Sequence, residues 1–236
     1  MAPRSSALDE SALAPQWHTA LLVTLIVAVA VTGTLLERHA PSARAIAPAT
    51  GPAQGRIVAQ YLPILLVNWG LTLYVCRLFR THNALPQLLG RGLGEGGVVL
   101  DLALALVLGV LIVVAESLAV HASGAGRNAA ASALLPSTEA ERLTWLCVAL
   151  SVGFCEEVVY RGYLQTQLAA LSGRSSLGIL LQAVLFGIAH LEQGAAAALR
   201  IACYGLALGM LARMRRRLLP GIVCHVGIDL ASALLH

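Results

Sequence analysis

The sequence contains no lysine, and charged residues of all kinds make up only 12% of its 236 positions. Soluble proteins carry about 25% charged side chains, so this chain has about half the charge of a soluble domain. Hydrophobic residues make up 58% of the sequence, and the mean hydropathy is +0.77, which excludes a disordered or collagen-like chain. These values predict an all-α polytopic membrane protein.

Cysteine is scarce, and no two cysteines have the CxxC spacing of a zinc or redox site. All five lie in apolar segments. This excludes a disulfide-stabilised secreted module and predicts that most are small buried hydrophobic residues. They are Cys76, Cys147, Cys155, Cys203 and Cys224. The basic residues are spread between the apolar segments instead of forming a stripe, so we expect no nucleic-acid partner.

Seven apolar segments reach or approach the roughly 20 residues with which a helix crosses a bilayer. The predicted spans are 17–36, 57–79, 98–121, 143–171, 177–193, 196–214 and 219–235. No connection between them is long enough for a soluble domain. Residues 1–236 are therefore predicted to be one integral membrane domain, with N-terminal helices in 17–142 and a more polar core in 143–235. We expect the first helix to be retained, because its apolar segment is too long and starts too late for a signal peptide.

The arginine distribution predicts a cytoplasmic N-terminus, because positive residues are enriched in cytoplasmic connections. In this orientation nine arginines face the cytoplasm: Arg4, Arg77, Arg80, Arg91, Arg174, Arg213, Arg215, Arg216 and Arg217. Six face the outside: Arg38, Arg44, Arg56, Arg127, Arg142 and Arg200. The cluster from Arg213 to Arg217 is interpreted as an anchor on anionic membrane lipids. An alanine-rich, lysine-free composition indicates a GC-rich bacterial genome, and hence the bacterial inner (plasma) membrane.

Four ionisable residues lie near the centres of late apolar segments: Glu156, Glu157, Arg161 and Asp229. Each costs about 2.5–3.5 kcal/mol at a helix centre, so function or mutual pairing must offset on the order of 10 kcal/mol. Together with two histidines they form three short blocks, 156–162, 186–190 and 225–229. We expect these blocks to carry the chemistry.

In the first block, Glu157 and Arg161 are four residues apart, the spacing and order that favour an ion pair on a helix. Glu156 lies about 100° further round the helix, so it faces a different neighbour and is available for chemistry. In the third block, His225 and Asp229 are also four apart. We expect Asp229 to accept a hydrogen bond from one imidazole nitrogen and so to fix the tautomer of His225.

In the second block, Phe186 precedes His190 by one turn, where its ring walls the site and holds the imidazole in one rotamer. Gly187 and Ala189 allow close approach of a neighbouring helix. At 1.5 Å per residue, His225 lies about 9 Å from the start of its predicted helix, and His190 about 20 Å from the start of its own. The two histidines meet only if the fifth helix begins beyond the membrane surface or the seventh is tilted.

If the fold brings Glu156, His190 and His225 together, the three side chains can form either of two kinds of hydrolytic site. A carboxylate and an imidazole can deprotonate water while a second imidazole stabilises an oxyanion. The same three residues can also bind a divalent metal such as zinc. The HExxH zinc signature is absent, and the spacing does not choose between the two. A transporter with a proton relay is a further alternative, although the sequence shows no two related halves.

The pattern Glu-Glu-x-x-x-Arg, Phe-x-x-x-His and His-x-x-x-Asp, in this order on late apolar segments, resembles the CPBP (Abi) intramembrane proteases. These comprise CAAX prenyl endopeptidases and bacteriocin-processing proteins. The resemblance covers roughly 143–235 and implies an all-helical endopeptidase with a conical cavity reached from the cytosol. Its substrate would be a membrane-associated protein or peptide. In a bacterium this substrate is not expected to be prenylated.

The resemblance also implies roles for individual residues. Glu156 and His190 would activate water, and His225 with Asp229 would form the oxyanion site. Glu157 and Arg161 would hold the first motif. The resemblance leaves open whether the enzyme is a metalloprotease or a glutamate protease. Asp229 stands where the CAAX enzymes have asparagine, and an ionised aspartate can only accept hydrogen bonds. A non-proteolytic partner-binding or immunity protein with the same fold is an alternative.

The other polar residues are expected to be structural. Glu116 and Arg200 are predicted to pair or to extend towards the membrane surface, and Asp101 places a favourable charge at a helix N-terminus. Five histidines at segment ends are predicted to be solvated: His18, His39, His82, His121 and His236.

Overall fold

The structure is a computed structural model that describes residues 12–39, 57–81, 97–123, 132 and 134–234. Seven main helices in these ranges match the seven predicted spans and confirm the all-α prediction. In chain order they are α1 (Gln16–His39), α2 (Leu62–Thr81, after a π-helical turn, Ile57–Tyr61), α3 (Val98–Ser123), α4 (Glu139–Ser172), α5 (Ser175–Ile188), α6 (Ala195–Arg215) and α7 (Leu219–Leu234). All except α5 and α7 are long and apolar enough to cross a membrane. The chain is an integral membrane protein.

The longest helix, α4, changes its winding at the first motif. It is α-helical over Glu139–Glu156, π-helical over Glu157–Leu164 and α-helical again over Gln165–Ser172. Its start is fixed by a capping box in which Thr138 and Glu141 bond each other's backbone N–H groups. π-helical segments occur frequently at functional sites, and this one begins at the second glutamate of the Glu-Glu pair.

The fifth helix is shorter than the sequence predicted. The expected span 177–193 ends at Ile188, and a turn with a short 3₁₀ segment, Leu191–Gln193, leads to Gly194. Gly194 has φ = 91°, a conformation that L side chains rarely adopt, so the chain reverses here and α6 begins at Ala195. His190 therefore lies in the turn after α5 and not in a helix.

Helices α5 and α6 pack closely because of small residues and buried amides. A methyl group on Gly187 would lie 2.6 Å from the carbonyl oxygen of Ala198, which confirms the predicted close approach at Gly187. Gln182 of α5 donates through Nε2 to the Gly205 carbonyl of α6 at 2.9 Å. Such hydrogen bonds from side-chain amides satisfy backbone polar groups, which cannot form hydrogen bonds with lipid tails.

The arginine cluster after α6 is only partly a lipid anchor. Nε of Arg215 lies 2.6 Å from one carboxylate oxygen of Asp101, and a nitrogen of Arg217 lies 2.8 Å from the other. Asp101 is fully buried in the first turn of α3, so it attracts these two arginines into the protein. The interpretation of the whole cluster as a lipid anchor is therefore wrong for Arg215 and Arg217.

Candidate active site

A cavity of about 370 Å³ is enclosed by helices from both halves of the chain. Glu156, His190 and Asp229 line it, one from each of the three motifs. Apolar residues of α1 and α2 form the opposite wall: Ile26, Val29, Gly33, Pro63, Ile64, Val67 and Leu71. The structure thus brings three of the four predicted catalytic residues to one cavity, and the N-terminal helices complete it.

The two glutamates of the first motif differ in environment, as predicted. The Glu156 side chain is 13% exposed and faces the cavity. The Glu157 side chain is fully buried, and its Oε1 lies 2.9 Å from a guanidinium nitrogen of the equally buried Arg161. The predicted Glu157–Arg161 ion pair is therefore present. Glu156 is left facing the space in which a substrate can bind.

His225 has a different partner from the one that the sequence predicted. Its Nδ1 lies 3.1 Å from Oε1 of Glu157, and its Nε2 lies 3.6 Å from Oε2 of Glu156. The expectation that Asp229 orients His225 is wrong: the i, i+4 spacing places Asp229 on the same face, but Glu157 approaches from α4 and occupies the nitrogen. His225 does not line the cavity and lies behind Glu156.

His225 lies between the two glutamates of the first motif. Oε1 of Glu157 faces both Arg161 and Nδ1 of His225. Nε2 faces the carboxylate of Glu156, whose Oε2 is buried and has no hydrogen-bond partner among the described residues. A proton on either nitrogen of His225 therefore has a carboxylate oxygen to face.

His190 lines the cavity, and among the described residues only its Nδ1 has a hydrogen-bond partner. Its Nδ1 lies 2.8 Å from the backbone carbonyl oxygen of Phe186. Because a carbonyl only accepts, Nδ1 carries the proton, and Nε2 of the neutral ring has a lone pair. The turn after α5 thus fixes the tautomer of His190 through the backbone, which the sequence did not predict.

The Phe186 ring lies at the centre of the three motifs. It packs edge-on against both histidines, with ring centres 4.9 Å from His190 and 5.8 Å from His225. The guanidinium carbon of Arg161 lies 4.2 Å from its centre, within the range of a cation–π contact. The two histidines therefore meet across one ring despite their different predicted depths, since His190 lies beyond the end of the short α5.

Asp229 lies at the cavity wall without a hydrogen bond to His225. It is within range of electrostatic interaction with Glu156, His190 and His225. Its backbone carbonyl accepts bonds from Trp145 Nε1 at 3.2 Å and Ser232 Oγ at 2.7 Å. These two bonds hold the backbone of α7 at Asp229.

The predicted metal set does not fit a metal ion in this arrangement. A histidine binds a metal through a nitrogen lone pair, and both nitrogens of His225 face carboxylates. Within the described ranges, no three His, Cys, Asp or Glu side chains are grouped so that they could hold one ion. The chemistry below is therefore derived for Glu156 and His190 alone.

Several cavity residues were missed from the sequence. Tyr160 and Glu192 line the cavity next to Glu156 and His190, and Asn68 projects from α2. Glu192 and Asn68 lie outside the three motifs, so only their polarity within apolar segments could have indicated them. Trp145 is also in the wall, and the centre of its ring lies 5.6 Å from the centre of the Tyr61 ring.

Polar residues outside the cavity mostly have structural partners. Arg200 forms two bonds with Glu116, at 2.8 and 3.0 Å, which confirms the predicted pair. His18 is not simply solvated: its Nδ1 lies 2.6 Å from the Tyr74 hydroxyl of α2.

The cysteines divide into two groups. Cys155 and Cys224 are buried and form no disulfide, as expected for structural residues. Cys76 is half-buried. Cys147 and Cys203 are exposed on their helices, contrary to the expectation of burial. His82 and His236 lie outside the described residues.

Comparison with known families agrees with this geometry. Residues 138–231 match the family of Rce1-like type II CAAX prenyl endopeptidases. The match includes all three motifs and confirms the resemblance to CPBP intramembrane proteases. It indicates a CAAX-type intramembrane protease acting on a membrane-associated protein or peptide. No curated protein and no solved structure matches the chain significantly.

The cavity lies near one end of the helix bundle. We call this the cavity end; it contains the C-terminus of α1, the N-termini of α2 and α4, and the turn at 190–194. The arginine end, opposite, contains the N-terminus of α1, the α4–α5 connection and the cluster after α6. A cytoplasmic N-terminus would put the arginine end in the cytoplasm. The cytosolic access implied by the resemblance would put the cavity end there, so the two expectations exclude each other in this fold.

Proposed function

We propose that the chain is an intramembrane endopeptidase that hydrolyses a peptide bond with a water molecule activated by Glu156 and His190. The observation that supports this most strongly is that one residue of each motif lines a single cavity beside an apolar wall. The wall suits a hydrophobic segment of a membrane-associated substrate. The polar corner suits the bond to be cleaved.

In this mechanism, Glu156 is the general base. It takes a proton from water, while Nε2 of His190 accepts the second hydrogen bond of the same water and orients its lone pair towards the carbonyl carbon. Asp229, which can only accept hydrogen bonds when ionised, holds a second water beside the first, because both hydrogens of the attacking water are taken by Glu156 and His190. The C–N bond then breaks as the proton held by Glu156 passes to the leaving nitrogen.

His225 supports this step from behind Glu156. With Nε2 3.6 Å from Oε2 of Glu156, it holds the carboxylate of the base in place. Glu157 and Arg161 in turn hold His225. The resemblance assigns His225 to the oxyanion site, but His225 does not line the cavity, so in this mechanism it acts by positioning Glu156.

The decisive experiment compares two glutamates in the same cavity. Purified protein in lipid nanodiscs is incubated with host membrane fractions, and new peptide termini are identified by mass spectrometry. We expect Glu156→Gln to reduce cleavage by about 10²–10⁴-fold, the usual contribution of a general base. Glu192→Gln, which changes another cavity-lining carboxylate, should leave cleavage within a few-fold.

The proposal fails if folded Glu156→Gln cleaves at the wild-type rate. It also fails if wild-type protein cleaves nothing in these membranes or in a peptide library, in which case a partner-binding protein with this fold is favoured.

A further inference from the structure

A second cavity of about 230 Å³ lies against the first. Four residues line both cavities: Leu134, Trp145, Gln193 and Asp229. This shared wall includes a proposed catalytic carboxylate. Any molecule in the second cavity is therefore one side chain away from the site of hydrolysis.

The lining of the second cavity is polar but its main charges are neutralised. Arg200 and Glu116 both line it, yet they bind each other through two short bonds. The Tyr204 hydroxyl also bonds to Glu116. A carboxylate or phosphate ligand would therefore find no spare positive charge at Arg200. Gln193, Ser232 and Asp229 supply further polar groups.

Size and exposure also favour a small neutral occupant. A volume of this size holds several water molecules but is small for a peptide segment. The side chains of Arg200 and Glu116 are 29% and 31% exposed. The second cavity is therefore accessible from the cavity end of the bundle, where α6 begins. Water can enter beside this ion pair.

We propose that the second cavity is the route by which water reaches the catalytic cavity while a substrate occupies the latter. The inference rests on the proposed hydrolysis. Each peptide bond cleaved consumes one water: its hydroxyl adds to the carbonyl carbon, and its proton leaves on the amine. A hydrophobic substrate against the α1–α2 wall would close the main cavity to solvent. Asp229 lines both cavities, and a carboxylate has two oxygens with which to accept hydrogen bonds from water.

This role also gives a physical reason for aspartate at position 229. Two carboxylate oxygens can receive water from two directions, whereas an asparagine amide offers one acceptor and one donor group.

The test uses two neighbouring alanines of α6. Ala197 lines the second cavity, and Ala196 is exposed on the same helical turn. Ala197→Cys and Ala196→Cys are each reacted with neutral, hydrophilic 2-hydroxyethyl methanethiosulfonate. Peptide mass spectrometry separates the new thiols from the native cysteines, and treated wild-type protein controls for their modification.

We expect both new thiols to react, and kcat to fall at least tenfold only when Ala197→Cys is modified. KM should stay within twofold, because the substrate occupies the other cavity. Dithiothreitol should restore kcat by removing the added group, which excludes unfolding as the cause.

Three results would overturn the inference. If Ala197→Cys does not react under conditions that modify Ala196→Cys completely, water does not reach the cavity. If modification leaves kcat unchanged, catalytic water comes from elsewhere. If KM rises instead, the cavity binds part of the peptide. The labelling rate requires no proteolysis, so failure of the proposed function, seen as absent wild-type cleavage, is distinguishable from a dry cavity.

Discussion

Oε1 of Glu157 lies 3.1 Å from Nδ1 of His225, which links the first motif to the third. The same oxygen pairs with Arg161 at 2.9 Å. One buried carboxylate therefore balances the charge of Arg161 and orients a histidine behind Glu156, the proposed base. This connection makes the two neighbouring glutamates of the first motif chemically distinct.

The first prediction concerns the stability of this buried pair. Glu157→Gln leaves Arg161, whose side chain is fully buried, without its counter-ion. Removing one partner of a buried pair costs about 3–5 kcal/mol, so we expect a large fall in the unfolding temperature of the detergent-solubilised protein. The apolar double variant Glu157→Leu/Arg161→Met should recover much of the stability, since it leaves no buried charge unpaired.

Glu156→Gln is the matched control, because Glu156 is partly exposed and makes no ion pair with arginine among the described residues. It should unfold within a few degrees of wild type. Equal destabilisation by the two single variants would contradict the distinct environments of the two glutamates.

The second prediction uses two glycines of α7. A methyl group on Gly221 would lie 2.6 Å from Oε2 of Glu157, whereas one on Gly227 would meet nothing within 4 Å. Gly221→Ala should displace Glu157 and with it His225. Because small misplacements at an active site can cost about 10²-fold in rate, we expect a drop in kcat of tens-fold.

Gly227→Ala should retain activity. It raises the helix propensity of α7 as much as Gly221→Ala does, so it controls for that effect. Measuring kcat and circular dichroism for both variants separates the effect on the site from an effect on the helix. Unchanged kcat in Gly221→Ala would show that the Glu157–His225 contact does not position the base.

Sequence periodicity predicted the features that depend on local spacing. The positions of seven helices and the Glu157–Arg161 pair follow from apolar length and from i, i+4 geometry, and the structure contains both. Five of the seven helices are long enough to be spans, and α5 and α7 are shorter. The partner of His225 was wrong because local spacing favours Asp229, whereas helix packing brings in Glu157. The α1–α2 wall of the cavity was not predicted, since apolar residues that face lipid and those that face a cavity have the same composition.

The position of His190 could not be derived for a different reason. Its turn depends on the positive φ of Gly194 and on a backbone bond to Phe186. The apolar sequence around it continues beyond Ile188, so hydropathy extends the predicted helix to residue 193.

The third prediction concerns metal. Both nitrogens of His225 face glutamates, so we expect cleavage by Glu156-activated water to continue after dialysis against EDTA and 1,10-phenanthroline. Elemental analysis of the active, dialysed protein should find less than stoichiometric zinc. The metalloprotease alternative would be supported if chelation abolished cleavage and added zinc restored it. His190→Ala should then show no recovery with zinc.

The fourth prediction concerns orientation in the membrane. Arg215, Arg217 and Arg200 are in ion pairs with Asp101 or Glu116. The arginine count is therefore a weaker guide than the position of the cavity. We expect the cavity end to face the cytoplasm, as the resemblance implies, and the N-terminus to lie on the other side.

Exposed residues at the two ends of α4 provide markers for this topology: Glu139 at the cavity end and Ser172 at the arginine end. In spheroplasts, a membrane-impermeant maleimide should label Ser172→Cys directly and Glu139→Cys only after the membrane is permeabilised. Labelling of the native exposed thiols, Cys147 and Cys203, is subtracted with wild-type protein. The reverse pattern would restore the cytoplasmic N-terminus favoured by the arginine distribution, and substrates would then have to reach Glu156 from outside the cell.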